Sequence, residues 1–331
     1  MRNRLFCRGT QLCALQAALF WTTTALAYTV EHVVVFGDSL SDTGNLYAAT
    51  GGGVPPDPPY WQGRTSNGPL WSELLAADLG AALTNNAIAG ATTGTYNVWD
   101  DDPVWGIGQY PGAPYGGLQN QVADYLSGGI DPGALHFIWA GSNNFTSIPA
   151  DPVLAVQTAV TEILTAAGAL KAAGVSDLRV INVPDFGLSP RLIDAGLSAQ
   201  GTLLTDGFNA ALQAGLAQVG LGDLPLFDVA GLLREVVSDP AAYGFTNVTE
   251  ACFDKDDPAA SCFLNPSLNP DEYLFWDDIH PSRATHAILA GEIRASLGPV
   301  DVPEPHAAAL LLLGAIGAGA ARWAAGSRRR A

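Results

Sequence analysis

Short apolar segments alternate with longer amphipathic ones along the chain, and this alternation limits the fold more than any other feature. The strand-like runs are His32–Phe36, Leu135–Ala140, Leu178–Val183 and Pro225–Asp228, with a weaker one at Leu83–Ile88. The helix-like stretches are Pro69–Leu79, Leu118–Leu126, Pro152–Ala173, Ala199–Val219 and Arg283–Leu297. Strands that alternate with helices form a parallel sheet covered on both faces. The sequence therefore predicts an α/β fold, as one large domain or two small ones.

Small polar residues and glycines follow the apolar runs. The sequence GDS at 37–39 follows the first run, and Gly90 lies shortly after the weaker one. The sequence SNN at 142–144 and the residue Asp185 follow the next two runs. Ligands of open parallel α/β sheets bind at the carboxyl ends of the strands. We therefore expect the functional residues at these positions.

Residues 1–27 have the layout of a secretory signal peptide. Three arginines precede the apolar stretch Leu12–Trp21, and Ala25-Leu26-Ala27 supplies small residues for cleavage. The apolar stretch is too short to span a bilayer comfortably as a permanent anchor. We therefore expect removal of this segment by signal peptidase and export of the protein.

Residues 299–331 combine a proline-rich start, an apolar run and a basic end. The sequence VPEP at 302–305 precedes the uncharged run Ala307–Ala321, and Arg328–Arg330 lie near the chain end. A helix over that run spans roughly 22 Å, less than a hydrocarbon core of ~30 Å. The segment resembles the PEP-CTERM sorting signal of Gram-negative bacteria. The short span and the basic end favour a temporary inner-membrane tether with the arginines inside. The resemblance implies processing by an exosortase-type enzyme and delivery to the cell surface or matrix.

The chain between these two segments is strongly acidic. Seven of the 15 basic residues lie in the terminal segments, and residues 28–305 contain the other eight together with all 32 acidic residues, a net charge of about −24. Such a surface repels nucleic acid, and we expect no nucleic-acid partner. The acidic runs at 100–102 and 254–257 lack the EF-hand pattern, so we expect solvated acid and no metal site. Nothing in the sequence indicates a nucleotide or redox cofactor.

Cys252 and Cys262 are the two cysteines between the terminal segments. In an exported protein such a pair favours a disulfide that closes a short loop. A pair of free buried thiols is the alternative. The spacing does not fit the C-x-x-C pattern of a redox or metal site.

One serine and one histidine occupy positions suited to nucleophilic catalysis. A serine hydroxyl needs a base to remove its proton, and the base is usually a histidine oriented by a carboxylate. Ser39 ends the first apolar run, and His280 lies in a polar loop just before the last helix. Asp277 precedes His280 by three residues, a spacing that allows a carboxylate to reach the imidazole. Such Asp-x-x-His pairs are common by chance, and the combination with Ser39 in an exported chain favours a hydrolase.

An oxyanion hole requires donors aimed where negative charge develops. Gly90 offers a backbone N–H with no Cβ to block the approach, and Asn143 offers a side-chain amide on the same edge. Taken separately, each of these segments is better explained as an ordinary turn.

Four motifs, in this order, resemble the blocks of the GDSL, or SGNH, esterases and lipases. They are FGDSLSDTGN, NNAIAGAT, GSNN and LFWDDIHPS. The resemblance extends from Val33 to about Leu297 and implies a catalytic domain over residues 28–298. It implies a flavodoxin-like three-layer α/β/α sandwich with five central parallel strands. It also implies a serine hydrolase that acts on ester bonds through an acyl-enzyme.

The resemblance also implies a role for each candidate residue. Ser39 is the nucleophile, His280 the general base and acid, and Asp277 the residue that orients His280. The oxyanion donors are the backbone N–H groups of Ser39 and Gly90 and the side chain of Asn143. The competing α/β-hydrolase fold is disfavoured, because the sequence contains no G-x-S-x-G pentapeptide.

The third motif departs from the family at one position. The family usually has Gly-x-Asn-Asp, whereas this chain has Asn144 at the last place. Asn143 is retained, so the expected donor is present. We expect a change in how the loop is supported and no change in the chemistry.

The substrate is the least readable property of the sequence. The segment 95–117 is rich in glycine, proline and aromatic residues, including Trp99, Trp105, Tyr110 and Tyr115. Such a long segment is either a binding cleft for an acyl group or sugar, or a self-packed surface excursion. Three functions stay open: a carboxylesterase or lipase, which is favoured, a polysaccharide O-acetyl esterase, and a non-catalytic surface or matrix component on an esterase fold.

Overall fold

Five parallel strands form the central sheet of the protein. The computed structural model describes residues 29–100, 115–145, 148–258 and 261–299. The strands are β1 (His32–Gly37), β2 (Ala82–Asn85), β3 (Leu135–Trp139), β4 (Asp177–Ile181) and β5 (Leu226–Phe227). Their spatial order is β2-β1-β3-β4-β5, and all neighbours pair in parallel. The predicted five-stranded parallel sheet is confirmed.

Helices cover both faces of this sheet. They are α1 (Asn45–Ala49), α2 (Trp71–Leu79), α3 (Leu118–Gly128), α4 (Pro152–Ala172), α5 (Pro190–Asp194), α6 (Ser198–Gln218), α7 (Val229–Ser238) and α8 (Arg283–Ser296). Buried residues of α2, α7 and α8 pack on one face, and those of α3, α4 and α6 pack on the other. The arrangement is the predicted three-layer α/β/α sandwich.

Strand β1 separates the two cores, because successive strand residues alternate between faces. Val33 and Val35 belong to a buried cluster with Trp71 of α2, whereas Val34 and Phe36 belong to the cluster that includes α4. Each fully buried side chain of this kind contributes about 1.5–3 kcal/mol. Burial on both faces therefore fixes the end of β1 and the GDS sequence that follows it.

Helix α4 is long and apolar enough to cross a membrane, the only such helix in the described part of the chain. Its residues Ile163, Ala166, Ala167 and Leu170 are buried in the core cluster of one sheet face. The packing of α4 on the sheet accounts for its apolar composition.

Two element boundaries differ from the sequence prediction for identifiable reasons. Strand β2 ends at Asn85 and does not reach Ile88, because the N–H of Gly37, which would continue the pairing, donates instead to the Gln121 side chain at 2.9 Å. The predicted strand that ended at Asp228 is shorter. The Asp228 side chain instead caps α7, a helix that the sequence reading missed.

A second, two-stranded parallel sheet precedes α8, and it was not predicted because its first strand is polar and partly exposed. It pairs β6 (Asn247–Ala251) with β7 (Tyr273–Phe275). Between these strands a disulfide joins Cys252 and Cys262, whose Cα atoms lie 5.0 Å apart. Both sulfurs pack in a buried cluster with Trp276. This region leads directly into Asp277.

Candidate active site

The predicted site residues lie in loops at the carboxyl edge of the main sheet. Ser39 follows β1, Gly90 lies in the loop after β2, and Asn143 follows β3. Asp277 and His280 lie in the loop between β7 and α8. The structure brings three of these residues into direct contact and ties the other two to the same group of loops.

Two hydrogen bonds connect Asp277, His280 and Ser39 in series. Asp277 Oδ2 lies 2.7 Å from His280 Nδ1. His280 Nε2 lies 2.9 Å from Ser39 Oγ. When Nδ1 carries the ring proton and donates a hydrogen bond to the carboxylate, Nε2 is free to accept the proton of the serine hydroxyl. An imidazole in this arrangement can remove the proton of the serine.

Four donors hold the Asp277 carboxylate. Besides the His280 ring, Oδ1 accepts the backbone N–H groups of Ile279 at 2.9 Å and His280 at 2.7 Å. Oδ2 also accepts the Tyr60 hydroxyl at 2.7 Å. Burial would raise the pKa of Asp277, but the charge of His280 and these hydrogen bonds outweigh burial and lower the pKa to about 2. Asp277 is therefore ionised at neutral pH.

The ionised Asp277 in turn raises the proton affinity of its partners. Burial lowers the pKa of His280, but the charge and hydrogen bond of Asp277 outweigh burial, and the net shift is upward. Burial and the same carboxylate raise the pKa of Tyr60, so its hydroxyl stays protonated and remains a donor. A histidine with a raised pKa is a stronger base toward a serine hydroxyl.

Three N–H groups are candidates for binding a developing oxyanion. The backbone N–H groups of Ser39 and Gly90 donate to no residue that the structure describes. Asn143 donates one side-chain N–H to the carbonyl oxygen of Ala91 at 3.1 Å. Its amide carries a second N–H, and Asn143 lines the same cavity as Ser39 and His280.

Hydrogen bonds on both sides of Gly90 connect its loop to its neighbours. Asp42, in the Ser39 loop, accepts the N–H of Ala89 at 2.7 Å. Asn143 binds Ala91, the next residue after Gly90. Gly90 is thus held between the loops that follow β1 and β3, and its role as an oxyanion donor stays a prediction.

Only glycine fits at position 90. Its φ is +83°, in the left-handed region, and a Cβ would overlap the side chains of Trp99 and Asn97. Gly37 is constrained in a similar way, because a Cβ there would overlap the carbonyl oxygen of Trp139.

Asn144, where the family usually has Asp, binds Thr93 with both ends of its amide. Its Oδ1 accepts the Thr93 N–H at 3.0 Å, and its Nδ2 donates to Thr93 Oγ1 at 2.8 Å. The Thr93 hydroxyl donates its single proton to Glu162 at 2.5 Å. The side chain at 144 must therefore be a donor, which Asn is and ionised Asp is not. Glu162 accounts for the departure, and the loop keeps its anchor.

A largely apolar cavity of about 110 Å³ opens beside Ser39 and His280. Its apolar walls come mainly from the loops after β3 and β4 and from α5, α6, α7 and α8. Six of these wall residues are Phe145, Phe186, Leu192, Leu204, Leu233 and Leu289. The cavity is suited to an apolar group attached to a carbonyl that Ser39 can reach.

Sequence reasoning missed three polar residues of this site: Asp38, Tyr60 and Arg191. Asp38 is fully buried, and its Oδ2 has no hydrogen-bond partner among the described residues. Burial raises the pKa of Asp38 to about 7. Its position next to Ser39 was a usable signal, whereas Tyr60 and Arg191 lie in segments with no local motif.

The aromatic segment 95–117 is only partly within the described residues, and Trp105 and Tyr110 lie outside them. Trp99 and Tyr115 pack in a small cluster with Leu46 and Ala89, behind the Gly90 turn. These two residues fit the self-packed alternative and do not line the cavity beside Ser39. Within the described ranges, no group of three or more His, Cys, Asp or Glu side chains is arranged to hold a metal ion.

Comparison with known proteins gives the same family that the four motifs indicate. Residues 33–293 match the family model for GDSL-like lipase/acylhydrolase. The chain is 27% identical over 307 residues to a phosphatidylcholine-sterol acyltransferase of Aeromonas hydrophila, covering 78% of this chain and 88% of that protein. It is 28% identical over 324 residues to esterase EstA of Pseudomonas aeruginosa, covering 83% of this chain and 48% of that protein. The chain thus spans about half the length of the second relative.

Among solved structures, the chain is similar to Est24, a carbohydrate acetylesterase from Sinorhizobium meliloti. The sequence identity is 18%, the TM-score is 0.43, and the match covers 81% of this chain and 98% of that one. At this level of similarity the match says nothing about the substrate.

Proposed function

The chain belongs to the family of GDSL-like lipases and acylhydrolases, and from this premise we propose that it hydrolyses carboxylic esters through an acyl-enzyme on Ser39. The observation that carries the proposal is the series of hydrogen bonds from Asp277 through His280 to Ser39. These are three residues of the right chemistry, in contact, beside a cavity. A non-catalytic protein on the same fold has no need of this geometry.

The reaction follows from the placement of each group. His280 Nε2 takes the proton of Ser39 as Oγ attacks the ester carbonyl, and Asp277 stabilises the imidazolium that forms. In this proposal the N–H groups of Ser39, Gly90 and Asn143 bind the oxyanion, and one such donor is worth about 10²–10³ in rate. His280 then protonates the leaving alkoxide. Water repeats the sequence on the acyl-enzyme and restores Ser39.

The cavity supports a substrate with an apolar acyl chain longer than acetyl. Phe145, Phe186, Leu204 and Leu233 line it, and they offer dispersion contacts and no hydrogen bonds to a chain that enters from Ser39. An O-acetyl group would leave most of these walls without contact. A polysaccharide O-acetyl esterase is therefore the second candidate, and only the proposed sorting tail favours it.

Hydrolysis of a p-nitrophenyl ester series from acetate to dodecanoate tests both statements. We expect kcat/KM to rise from acetate to a medium chain, and Ser39→Ala to abolish the activity. Ser238→Ala, at an exposed serine far from the site, is the matched control and should behave as wild type. A protein that is inactive on all esters would favour the non-catalytic alternative, and a strict acetate preference would favour the O-acetyl esterase.

We also propose that the protein is exported, tethered for a time in the inner membrane and then released. Residues 1–27 and the tail at 299–331 support this by composition alone, and they lie outside the described residues except for Pro299. Fractionation of full-length protein from hosts with and without an exosortase-type enzyme tests it. Release from the membrane in the first host only is expected, and equal release from both would contradict a sorting role.

A further inference from the structure

A second ion pair lies next to the proposed triad of Ser39, His280 and Asp277. It joins α5 to the loop of residues 276–282, called here the catalytic loop because it carries Asp277 and His280. Arg191 Nε lies 2.8 Å from Asp278 Oδ2, and its second guanidinium nitrogen lies 3.1 Å from Oδ1. The backbone N–H of Arg191 also donates to the carbonyl oxygen of Asp278 at 2.9 Å. Three hydrogen bonds therefore join α5 to the residue that follows Asp277.

The pair is placed where it affects both the substrate cavity and the base. Arg191 lines the cavity that contains Ser39 and His280. It also lines, with Asp277 and Asp278, a separate acidic cavity of about 510 Å³ behind the catalytic loop. Exposed ion pairs stabilise proteins little, and these side chains are 42% and 38% exposed. The position of the pair is therefore more informative than its strength.

The two members of the pair act on His280 in opposite directions. The negative charge of Asp278 favours the protonated imidazole and raises the pKa of His280, whereas the guanidinium of Arg191 opposes protonation and lowers it. Other titratable groups also surround His280. They are Asp277 in its own loop, Tyr60 through Asp277, Asp38 after β1 and His286 in α8.

We propose that Arg191 and Asp278 are positioning residues that hold the catalytic loop against the cavity wall and keep the added charge beside His280 close to zero. Neither residue touches the reacting atoms. The pair prevents Asp278 from acting as a second, unbalanced carboxylate on the imidazole. This inference rests on the proposed roles of Ser39 and His280.

Single substitutions at the two positions should move the pH profile in opposite directions. Arg191→Gln leaves Asp278 unpaired, so the acid limb of kcat/KM should move to higher pH, because His280 must be neutral to act as a base. Asp278→Asn leaves Arg191 unpaired, and the limb should move to lower pH. Arg191→Lys keeps the charge and should keep the limb of the wild type. At the midpoint of that limb, where half of His280 is neutral, Arg191→Gln should lower kcat/KM by about two- to fivefold, and Asp278→Asn should raise it by about twofold at most.

A matched ion pair elsewhere provides the control. Arg283 and Asp271 form the same bidentate contact, with two bonds of 2.6 Å, at 50% and 42% exposure. Arg283→Gln and Asp271→Asn should leave the acid limb in place. If the pair gave structural support alone, Arg191→Gln and Asp278→Asn would both lower kcat, and the acid limb of kcat/KM would not move in opposite directions.

An NMR titration of the His280 ring provides a readout that does not depend on activity. The signal is assigned by its loss in His280→Asn, and the titration is repeated in the Arg191→Gln and Asp278→Asn proteins. Opposite displacements of the His280 midpoint support the proposal. Displacements of the same sign, or none in either variant, overturn it. If wild type has no Ser39-dependent esterase activity, the proposed function fails, and the titration still decides this inference.

Discussion

The two sides of Ser39 are built on different principles. On one side, the Asp277 carboxylate accepts four hydrogen bonds from three residues, and His280 has one fixed neighbour at each ring nitrogen. On the other side, the cavity presents mainly apolar walls. The hydrogen bonds of the polar side determine which atom receives the proton of Ser39, namely His280 Nε2. The apolar side selects for size and apolarity and leaves the identity of the substrate open.

This difference predicts how each side responds to change. A hydrogen-bonded series fails when one member loses its function, because its members act as a unit. An apolar wall responds in proportion to the volume that is added or removed. A single substitution in the hydrogen-bonded series should therefore abolish the reaction, whereas a single substitution in the cavity wall should change only the substrate preference.

The largest effect should come from the carboxylate behind His280. Asp277→Asn should lower kcat by about 10³–10⁴-fold, because an amide favours the wrong tautomer of the imidazole. Asp278→Asn, the adjacent matched substitution, should cost about fivefold at most. Steady-state kinetics on one ester checks both. A larger loss at Asp278 would mean that the carboxylates are assigned the wrong way round.

A smaller and more selective effect should come from the cavity wall. Leu204 lines the cavity, whereas its neighbour Leu203 is 71% exposed. Leu204→Trp should lower kcat/KM for a medium-chain ester by about tenfold or more and change acetate hydrolysis far less. Leu203→Trp should change neither. Equal losses on both esters in the Leu204 variant would show that the cavity does not hold the acyl chain.

Reduction of the disulfide tests whether the polar side depends on its supporting loop. Reduction of the Cys252–Cys262 bond, which closes a loop of separation 10, should lower the free energy of unfolding by about 2–3 kcal/mol. It should lower kcat on all esters alike, because the loop leads into Asp277, and leave the chain-length preference unchanged. Denaturant unfolding and the ester series, with and without reductant, measure both effects. A change in preference without a loss of stability would contradict this division.

The last effect concerns the pH dependence of stability and comes from Asp38, which lies between the two sides. Its pKa is raised from 3.8 to about 7, so between these pH values the folded state holds a proton that the unfolded state has lost. The contribution of Asp38 to stability therefore falls as pH rises from about 4 to 7. Asp38→Asn should flatten this part of the stability profile, whereas Asp124→Asn, at an exposed carboxylate, should not. Thermal unfolding between pH 4 and 8 checks this, and an unchanged slope in the Asp38 variant would contradict it.

The polar side could be predicted from the sequence because its chemistry is local. Ser39 follows a buried strand, and Asp277 and His280 share one turn, so each lies in a short motif, and the resemblance of the four motifs to the GDSL family implied their roles. The five strands and the longer helices were predictable for the same reason. The failures include the short α1 and α5, the polar β6 and the three-residue β7. Helix α7 was overlooked although its buried residues Val229, Leu233 and Val236 follow a helical period.

The apolar side could not be predicted, because its residues are joined only by the fold. Leu40, Phe145, Leu204, Leu233 and Leu289 line one cavity, yet each lies in a different segment. Tyr60 presents the same difficulty on the polar side, since it lies 217 positions from Asp277. Such contacts have no signature in one sequence, so the sequence left two alternatives open for segment 95–117, of which Trp99 and Tyr115 fit the self-packed one.

The central claim is that Ser39 is an activated nucleophile, and covalent labelling tests it most directly. Native protein is treated with an organophosphonate ester at neutral pH, digested and analysed by mass spectrometry. The account predicts a single adduct on the peptide that contains Ser39, no adduct in Ser39→Ala, and greatly slowed labelling in His280→Asn. An adduct on another serine, or labelling of Ser39 at the same rate without His280, would contradict it.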